Sequence, residues 1–357
     1  MKGYRVAIVG ATSLVGQELI KVLEQRNFPV ESISLLASDR SAGRKMFVAH
    51  QETEVKETTP ESFREIDLAF FSAGAETSRY FSPIAAQSGA VVIDTSPVFR
   101  AEPTIPLVVP EVNPEDMKEH KGIVASPNCL SIQMAMALYP LHKVNPVGHV
   151  VVSTYQSVSS TGVAAVEELT NQAKLVLEGQ NVNPHVYPHQ IAFNLLPEID
   201  VFLDNGYTKE EWKVTEETKK IMHASDMSIS ATCVRVPVFV GHSEAIHVEF
   251  THPMTREDAR RILAQAPGVK VLDDPVVSLY PQPWSATGTD EVFVGRIRQD
   301  ASHPRGLAMW IVTDNMRKGS ALNVVQIAEE MAKRDWLHGR GKNEKNRTTA
   351  DRHDNPL

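Results

Sequence analysis

Residues 4–25 confine this chain to a narrow set of folds. Tyr4–Val9 is a short apolar strand, Gly10-Ala11-Thr12-Ser13-Leu14-Val15-Gly16 is a glycine turn, and the following helix puts Val15, Leu19, Val22 and Leu23 on one face. Strand, glycine turn and helix in that order form the opening unit of a parallel α/β sheet. In such a unit, backbone N–H groups meet a pyrophosphate at the helix N-terminus, where the dipole favours anions. Gly10 and Gly16 are present, but Thr12 and Ser13 occupy the middle of the turn, so the three-glycine fingerprint is incomplete. An ordinary strand-to-helix turn would also read this way.

The second strand, Ser32–Ala37, ends in Ser38-Asp39-Arg40-Ser41-Ala42-Gly43-Arg44. No acidic residue stands immediately at its end to grip a ribose 2′-hydroxyl. Serines and arginines suit a 2′-phosphate, because a guanidinium offers forked donors and a fixed charge, so NADP is favoured; Asp39 leaves NAD open. Strands at Ile66–Phe71 and Ala90–Asp94 each run into a small or polar turn, where ligands of open α/β sheets bind. Arg100 follows the second of these turns and is a candidate anion ligand, or an ordinary exposed arginine.

At 357 residues the chain exceeds the size at which a single core usually stops growing, so two domains are expected. With 42% hydrophobic and 22% charged residues it reads as a soluble globular protein. No apolar stretch approaches the ~20 residues of a membrane span, and Met1 leads into the first strand without a signal-like segment. A cytoplasmic protein with no membrane partner is expected. A net charge of -8 disfavours nucleic acid, and two distant cysteines disfavour a disulfide framework or a zinc site.

One of those cysteines, Cys129, stands after Ser126-Pro127-Asn128 and before an apolar run through Leu130, Ile132, Met134, Ala135, Leu138 and Leu141. The triplet reads as a turn and helix cap, and the run as a buried helix. A thiol there feels the positive end of the helix dipole, which lowers its pKa and raises its thiolate fraction. Core packing is the competing role.

From His149 the pattern changes. His149–Gln156 is a strand, Ser157–Thr161 a turn and 162–177 a helix; strands follow at Ser230–Val238 and Ala245–Thr251, which read as antiparallel. His242 falls in a turn next to Gly241, where an imidazole titrating near neutrality suits acid–base work. Glu217 and Lys220 have the spacing of a helix ion pair, and strand alternation puts Cys233 on the same side as Arg235. Cys233 reads as packing.

Taken in order, Gly10-Ala11-Thr12, Ala37-Ser38-x-Arg40-Ser41-Ala42-Gly43, Ser126-Pro127-Asn128-Cys129, Tyr155-Gln156-x-Val158-Ser159, Pro188-His189-Gln190, Arg235-Val236-Pro237-Val238, Gly241-His242-Ser243-Glu244-Ala245 and Asp314-Asn315-x-Arg317-Lys318-Gly319 make the chain resemble the bacterial aspartate-β-semialdehyde dehydrogenases over residues 4–336. The resemblance implies an α/β chain: a Rossmann-type NADP-binding domain over 1–128, completed by a C-terminal helix at about 315–336, and an α+β catalytic and dimerisation domain with a mixed sheet over 129–314. Residues 337–357 read as a disordered tail.

It also implies chemistry. Cys129 would attack the substrate and form a thioester, with His242 as general acid/base and Gln156 near the reacting carbon. Arg235 would bind the substrate carboxylate, Glu217 the amino group, and Arg100 and Lys220 the phosphate. Gly10, Thr12, Ser13, Leu14 and Val15 would line the cofactor's phosphates, Ser38, Arg40 and Ser41 the 2′-phosphate, Ser159 and Ser160 the nicotinamide, with Asn315 closing the site. No metal is implied, and the assembly would be a homodimer or homotetramer acting on small molecules. Ser13, Thr95, Pro97, Leu130 and Ser160 depart from the family pattern. The rival readings are N-acetyl-γ-glutamyl-phosphate reductase, whose glycine turn and post-cysteine sequence differ, a non-catalytic NADP-binding homologue, and a Cys-His hydrolase.

Overall fold

The computed structural model describes residues 3–48 and 51–337, and the chain divides into two units: Met1–Pro127 with Ala321–Leu357, and Asn128–Ser320. The first unit contains β1 (Tyr4–Val9), α1 (Leu14–Gln25), β2 (Val30–Ala37), β3 (Lys45–Val48), β4 (Gln51–Glu54), β5 (Lys56–Glu57), β6 (Leu68–Phe71), α2 (Ala75–Gln87), β7 (Val91–Asp94) and β8 (Ile123–Ala125). The second contains α3 (Cys129–His142), β9 (Val147–Gln156), α4 (Val163–Leu177), α5 (Lys209–Met222), β10 (Ser228–Arg235), β11 (His242–Phe250), α6 (Arg256–Ala264), β12 (Val269–Val271), α7 (Pro283–Ala286), β13 (Val292–Gln299) and β14 (Gly306–Thr313). The chain then returns to the first unit as α8 (Leu322–Lys333).

In the first unit six parallel strands lie in the order β5-β2-β1-β6-β7-β8. Alternation along β1 explains why its residues are apolar on both sides. Val6 and Ile8 pack with Leu19, Val22 and Leu23 of α1 and Val325 and Ile327 of α8, while Ala7 and Val9 pack with Ala85 and Ala86 of α2. A parallel sheet covered on both faces needs this pattern, and each fully buried Ile or Leu contributes roughly 1.5–3 kcal/mol. The strand order reverses direction between β1 and β6, and ligand crevices of open α/β sheets form at such a switch.

The second unit is built on a mixed six-stranded sheet, β10-β9-β11-β14-β13-β12. One face carries α3, α5 and α6. Helix α3 is apolar nearly all round because it is enclosed nearly all round, with Leu130, Ile132, Met134, Ala135, Leu138 and Leu141 buried.

Several sequence expectations are corrected. β11 is antiparallel to β9 and β14, but β10 runs parallel to β9, because the connection between them is long enough to include α4 and α5 and to cross back over the sheet. β10 stops at Arg235, two residues before Pro237, which has no N–H for a ladder. His242 is the first residue of β11, not part of a turn. The chain rejoins the first unit at Ala321 and not at 315, since Asn315 is hydrogen-bonded to Ser157, Ser159 and Gly241 of the second unit. Leu337 is buried in the first unit's core, and the rest of the expected tail, 338–357, lies outside the described residues. Among the described residues, no helix is long and apolar enough to cross a membrane.

Candidate active site

The turn after β1 is shaped by two glycines. Gly10 has φ +87°, and a Cβ there would lie 2.7 Å from the Ser72 carbonyl oxygen; a Cβ on Gly16 would lie 2.2 Å from the Gly10 carbonyl oxygen. Both positions therefore exclude a side chain. Ser13 caps α1 by accepting the Gly16 N–H at 3.0 Å, which gives this departure from the family pattern a structural use. Gly10, Thr12, Ser13, Ser38, Asp39 and Thr58 line a cleft of about 590 Å³ in this unit, at the carboxyl ends of β1, β2 and β6. Arg40 is exposed on the short helical turn Asp39–Ser41, and Ser41 is half-buried there; Leu14 and Val15 open α1. Arg40, Ser41, Leu14 and Val15 are not among the cleft's lining residues. The cradle fits a dinucleotide: crowded glycines bring the backbone close, and the α1 N-terminus carries no acidic residue in its first turn. Arg100, also in this unit, donates to the Thr95 carbonyl oxygen at 2.6 Å.

The second unit gathers the reactive side chains along one edge of its sheet. Arg235 of β10 pairs with Gln156 of β9, and the register that sets Ser243 against Tyr155 puts His242 beside Gln156. Side chains in one such row share a face, here the helix-covered one. Above it stands α3, whose first residue is Cys129. Asn128 is the helix cap: its Oδ1 accepts the Leu130 N–H at 2.9 Å, and the Cys129 thiol donates to the same oxygen at 3.5 Å. Cys129 is partly accessible, whereas Leu130 is fully buried. Gly319, in the π-helical turn Arg317–Ala321, lets that turn approach, since a Cβ there would lie 2.9 Å from Cys129 Cβ.

Two glutamates of α5 fix this helix start. Glu217 Oε2 accepts the Asn128 N–H at 2.6 Å. Glu210 Oε1 accepts from Asn128 Nδ2 at 2.8 Å and Gln156 Nε2 at 3.1 Å, and its other oxygen accepts from Lys213 Nζ at 3.2 Å. Sequence reasoning missed Glu210 and Asn128 as parts of the site. The signal was the spacing of Glu210, Lys213 and Glu217 on one face of α5, an i, i+3, i+7 pattern with buried charge. Lys220 lies half-buried on the same helix.

His242 is fully buried. The Ser157 backbone N–H donates to its Nδ1 at 3.0 Å, so the neutral ring carries its proton on Nε2. Burial first, and the nearby Arg235 charge second, lower its pKa to about 3. The imidazole is neutral at physiological pH and presents an N–H. Ser157 Oγ and Ser159 Oγ both donate to Asn315 Oδ1, at 3.1 and 3.3 Å, and Gly241 N–H donates to it at 2.8 Å. Asn315 thus holds the segments on either side of the histidine.

Arg235 is 6% exposed, and burial pushes its pKa down from the ordinary guanidinium value. Its Nη1 donates to the Ser157 carbonyl oxygen at 2.8 Å and to Ser160 Oγ at 2.6 Å, so Ser160, where a glycine is common in the family, orients the guanidinium. Arg235 and Cys129 are close enough for a thiolate to favour the arginine's charge. Arg235 Nε, Gln156 Oε1 and His242 Nε2 are buried without hydrogen-bond partners among the described residues. A cation, an acceptor and a neutral donor left unsatisfied on one row suit a small ligand with an anionic group and a polar reacting carbon. Cys233, one pleat deeper, is fully buried with its pKa raised by burial, which makes it a packing residue. Among the described residues no group of His, Cys, Asp and Glu side chains could hold a metal ion.

Two family models match: semialdehyde dehydrogenase, NAD binding domain, over residues 5–120, and semialdehyde dehydrogenase, dimerisation domain, over residues 138–318. Aspartate-semialdehyde dehydrogenase of Aquifex aeolicus (strain VF5) is 54% identical over 335 residues, 93% of this chain and 98% of that protein. The crystal structure of aspartate semialdehyde dehydrogenase II complexed with ASA from Vibrio cholerae has a TM-score of 0.91 at 43% identity, covering 93% of this chain and 99% of that one. Aspartate semialdehyde dehydrogenase with NADP from Candida albicans has a TM-score of 0.73 at 26% identity, covering 93% and 99%. The chain belongs to the aspartate-semialdehyde dehydrogenase family.

Proposed function

We propose that this chain catalyses the reversible reductive dephosphorylation of L-4-aspartyl phosphate to L-aspartate 4-semialdehyde and phosphate, with NADPH as reductant, for lysine, threonine, methionine and diaminopimelate synthesis. The observation that carries the residue assignment is the row of unsatisfied buried atoms on Arg235, Gln156 and His242, in the unit where Cys129 opens α3. NADPH bound in the first unit's cleft would supply the hydride, with Gly10, Thr12, Ser13 and Ser38 at its phosphates and Arg40 and Ser41 on the neighbouring turn.

The Cys129 thiolate, favoured by the α3 N-terminus and by Arg235, adds to the acyl carbon as the carbonyl π electrons move to oxygen; collapse of that tetrahedral oxyanion reforms the carbonyl and breaks the carbon–oxygen bond to phosphate, leaving the thioester. The departing phosphate takes up the one proton that the overall reaction consumes. Once hydride has reached the thioester carbon, the thiohemiacetal oxygen is an anion, and collapse returns the thiolate and releases the aldehyde. His242, in the tautomer held by Ser157, donates Nε2–H to that oxygen in both tetrahedral intermediates. Arg235 clamps the substrate carboxylate, and Gln156 orients the reacting carbon. Glu217 serves the amino group, and Arg100 and Lys220 serve as cations for phosphate. Asn315, Ser159 and Ser160 act on the cofactor side through the geometry they impose on His242 and Arg235.

A homodimer built on the second unit is consistent with the dimerisation-domain match and with the half-open sheet face that carries Val151, Tyr155, His247 and Trp310. We place the enzyme in the cytoplasm, without a nucleic-acid partner; a tetramer would be two such dimers. The test supplies the semialdehyde with NADP and follows reduced-cofactor absorbance with and without phosphate. Phosphate-dependent reduction is expected, and its absence would sink the reading.

A further inference from the structure

Beneath the row Arg235–Gln156–His242 lies a second one, Cys233–Thr154–Glu244, two residues further along each strand and on the same face. Glu244 is fully buried on β11, two residues from His242. Gln133 is fully buried on α3, one turn from Cys129 and on the same side of the helix. The Gln133 side chain faces the Glu244 carboxyl. Yet all four of their polar atoms, Glu244 Oε1 and Oε2 and Gln133 Nε2 and Oε1, lack a hydrogen bond of ordinary geometry among the described residues.

Among the described residues, burial and the Gln133 side chain are what act on the Glu244 carboxyl. The titratable neighbours are a buried thiol, Cys233 on β10, which itself feels Glu210 and Glu211 of α5, and the neutral His242. A lone buried carboxylate is costly, whereas a carboxylic acid facing a primary amide can satisfy every polar atom at once. The acid O–H donates to the amide oxygen, and the amide N–H donates to the acid carbonyl.

We infer that Glu244 is an uncharged carboxylic acid paired reciprocally with Gln133, and that this pair is a positioning site joining the strand of His242 to the helix of Cys129. Burial, which pushes the Glu244 pKa well up, acts in the same direction. The inference rests on the proposed nucleophile and donor, but two of its readouts need no turnover.

The experiment compares Glu244→Gln, Glu244→Met, Gln133→Met and the exchange Gln133→Glu with Glu244→Gln in the full-length protein. Because an amide also pairs with an amide, Glu244→Gln should stay within about threefold of the parent in kcat. Each methionine variant should lose about tenfold in kcat and in the alkylation rate of Cys129, with KM for NADPH unmoved, and the exchange variant should recover both. Infrared spectra at mildly alkaline pH should show a protonated-carboxyl carbonyl band in the parent that Glu244→Gln removes. Absence of that band in the parent, a Glu244→Gln variant as impaired as Glu244→Met, or methionine variants with parental thiol reactivity would each overturn the inference. Should Glu244→Met fail to fold, the band and Glu244→Gln still decide it.

Discussion

The two ligand-binding regions are built from different materials. The cleft at β1, β2 and β6 is backbone and short side chains: Gly10 and Gly16 are demanded by contacts of 2.7 and 2.2 Å, and Thr12, Ser13, Ser38 and Thr58 line the space around them. The row in the second unit is side-chain chemistry, with Cys129, Gln156, Arg235 and His242 each fixed by Asn128, Glu210, Glu217, Ser157 or Asn315. A backbone cradle tolerates side-chain change wherever no Cβ is forbidden. A buried network does not, because removing one member leaves another unsatisfied.

Substitutions can break this contrast. The largest effect is expected for Cys129→Ser, which should lose roughly a thousandfold in turnover while NADP binding, followed by cofactor fluorescence, stays unchanged. Turnover within tenfold of the parent would refute the nucleophile assignment. Next comes Arg235→Lys, which keeps the charge but loses the planar fork; kcat/KM for the amino-acid substrate should fall about a hundredfold, with KM for NADPH unmoved. Equal losses for both substrates in steady-state assays would show a general distortion instead.

Stability against pH probes the same network. His242 has a folded-state pKa of about 3 against an ordinary 6.5, so below 6.5 the unfolded chain binds a proton that the native protein refuses. Its contribution is intact above pH 6.5 and is lost as pH falls from there towards 3, by up to ~1.4 kcal/mol per pH unit. His242→Gln should flatten that acid limb in denaturant titrations by about one proton; an unaltered slope would contradict a buried neutral imidazole. The smallest effect is expected in the cradle. Ser13→Gly removes the α1 cap and should cost only a few tenths of a kcal/mol, with KM for NADPH within about twofold. A tenfold change in that KM would mean that the Ser13 hydroxyl itself touches the cofactor.

Much of this was readable from the chain. The first strand, glycine turn and helix announced themselves through apolar alternation and two glycines, since those signals are local. Cys129 was legible as a helix start because Asn128 is a capping residue and the next dozen residues are apolar except for Ser131 and Gln133. Glu210 was not: as one of several charged residues on α5, it gained meaning only when Asn128 and Gln156, 82 and 54 residues away, were brought to its oxygen. The direction of β10 was equally hidden, because a strand's own pattern is the same in parallel and antiparallel pairs, and only its partner decides. The histidine shows the boundary between the two kinds of information. Its residue type and its neighbour Gly241 marked it as a candidate, but its tautomer depends on the Ser157 N–H, 85 residues earlier.

By itself the sequence determined the doubly wound first unit, the position of the nucleophile at a helix start and the family to which the chain belongs, because periodicity, caps and motifs act over a few residues. Only the tertiary structure decided which polar atoms are buried and which of those are left unsatisfied. Burial, hydrogen-bond partnership and the protonation of His242 and Glu244 are properties of surroundings assembled from distant strands and helices, and no single segment carries them.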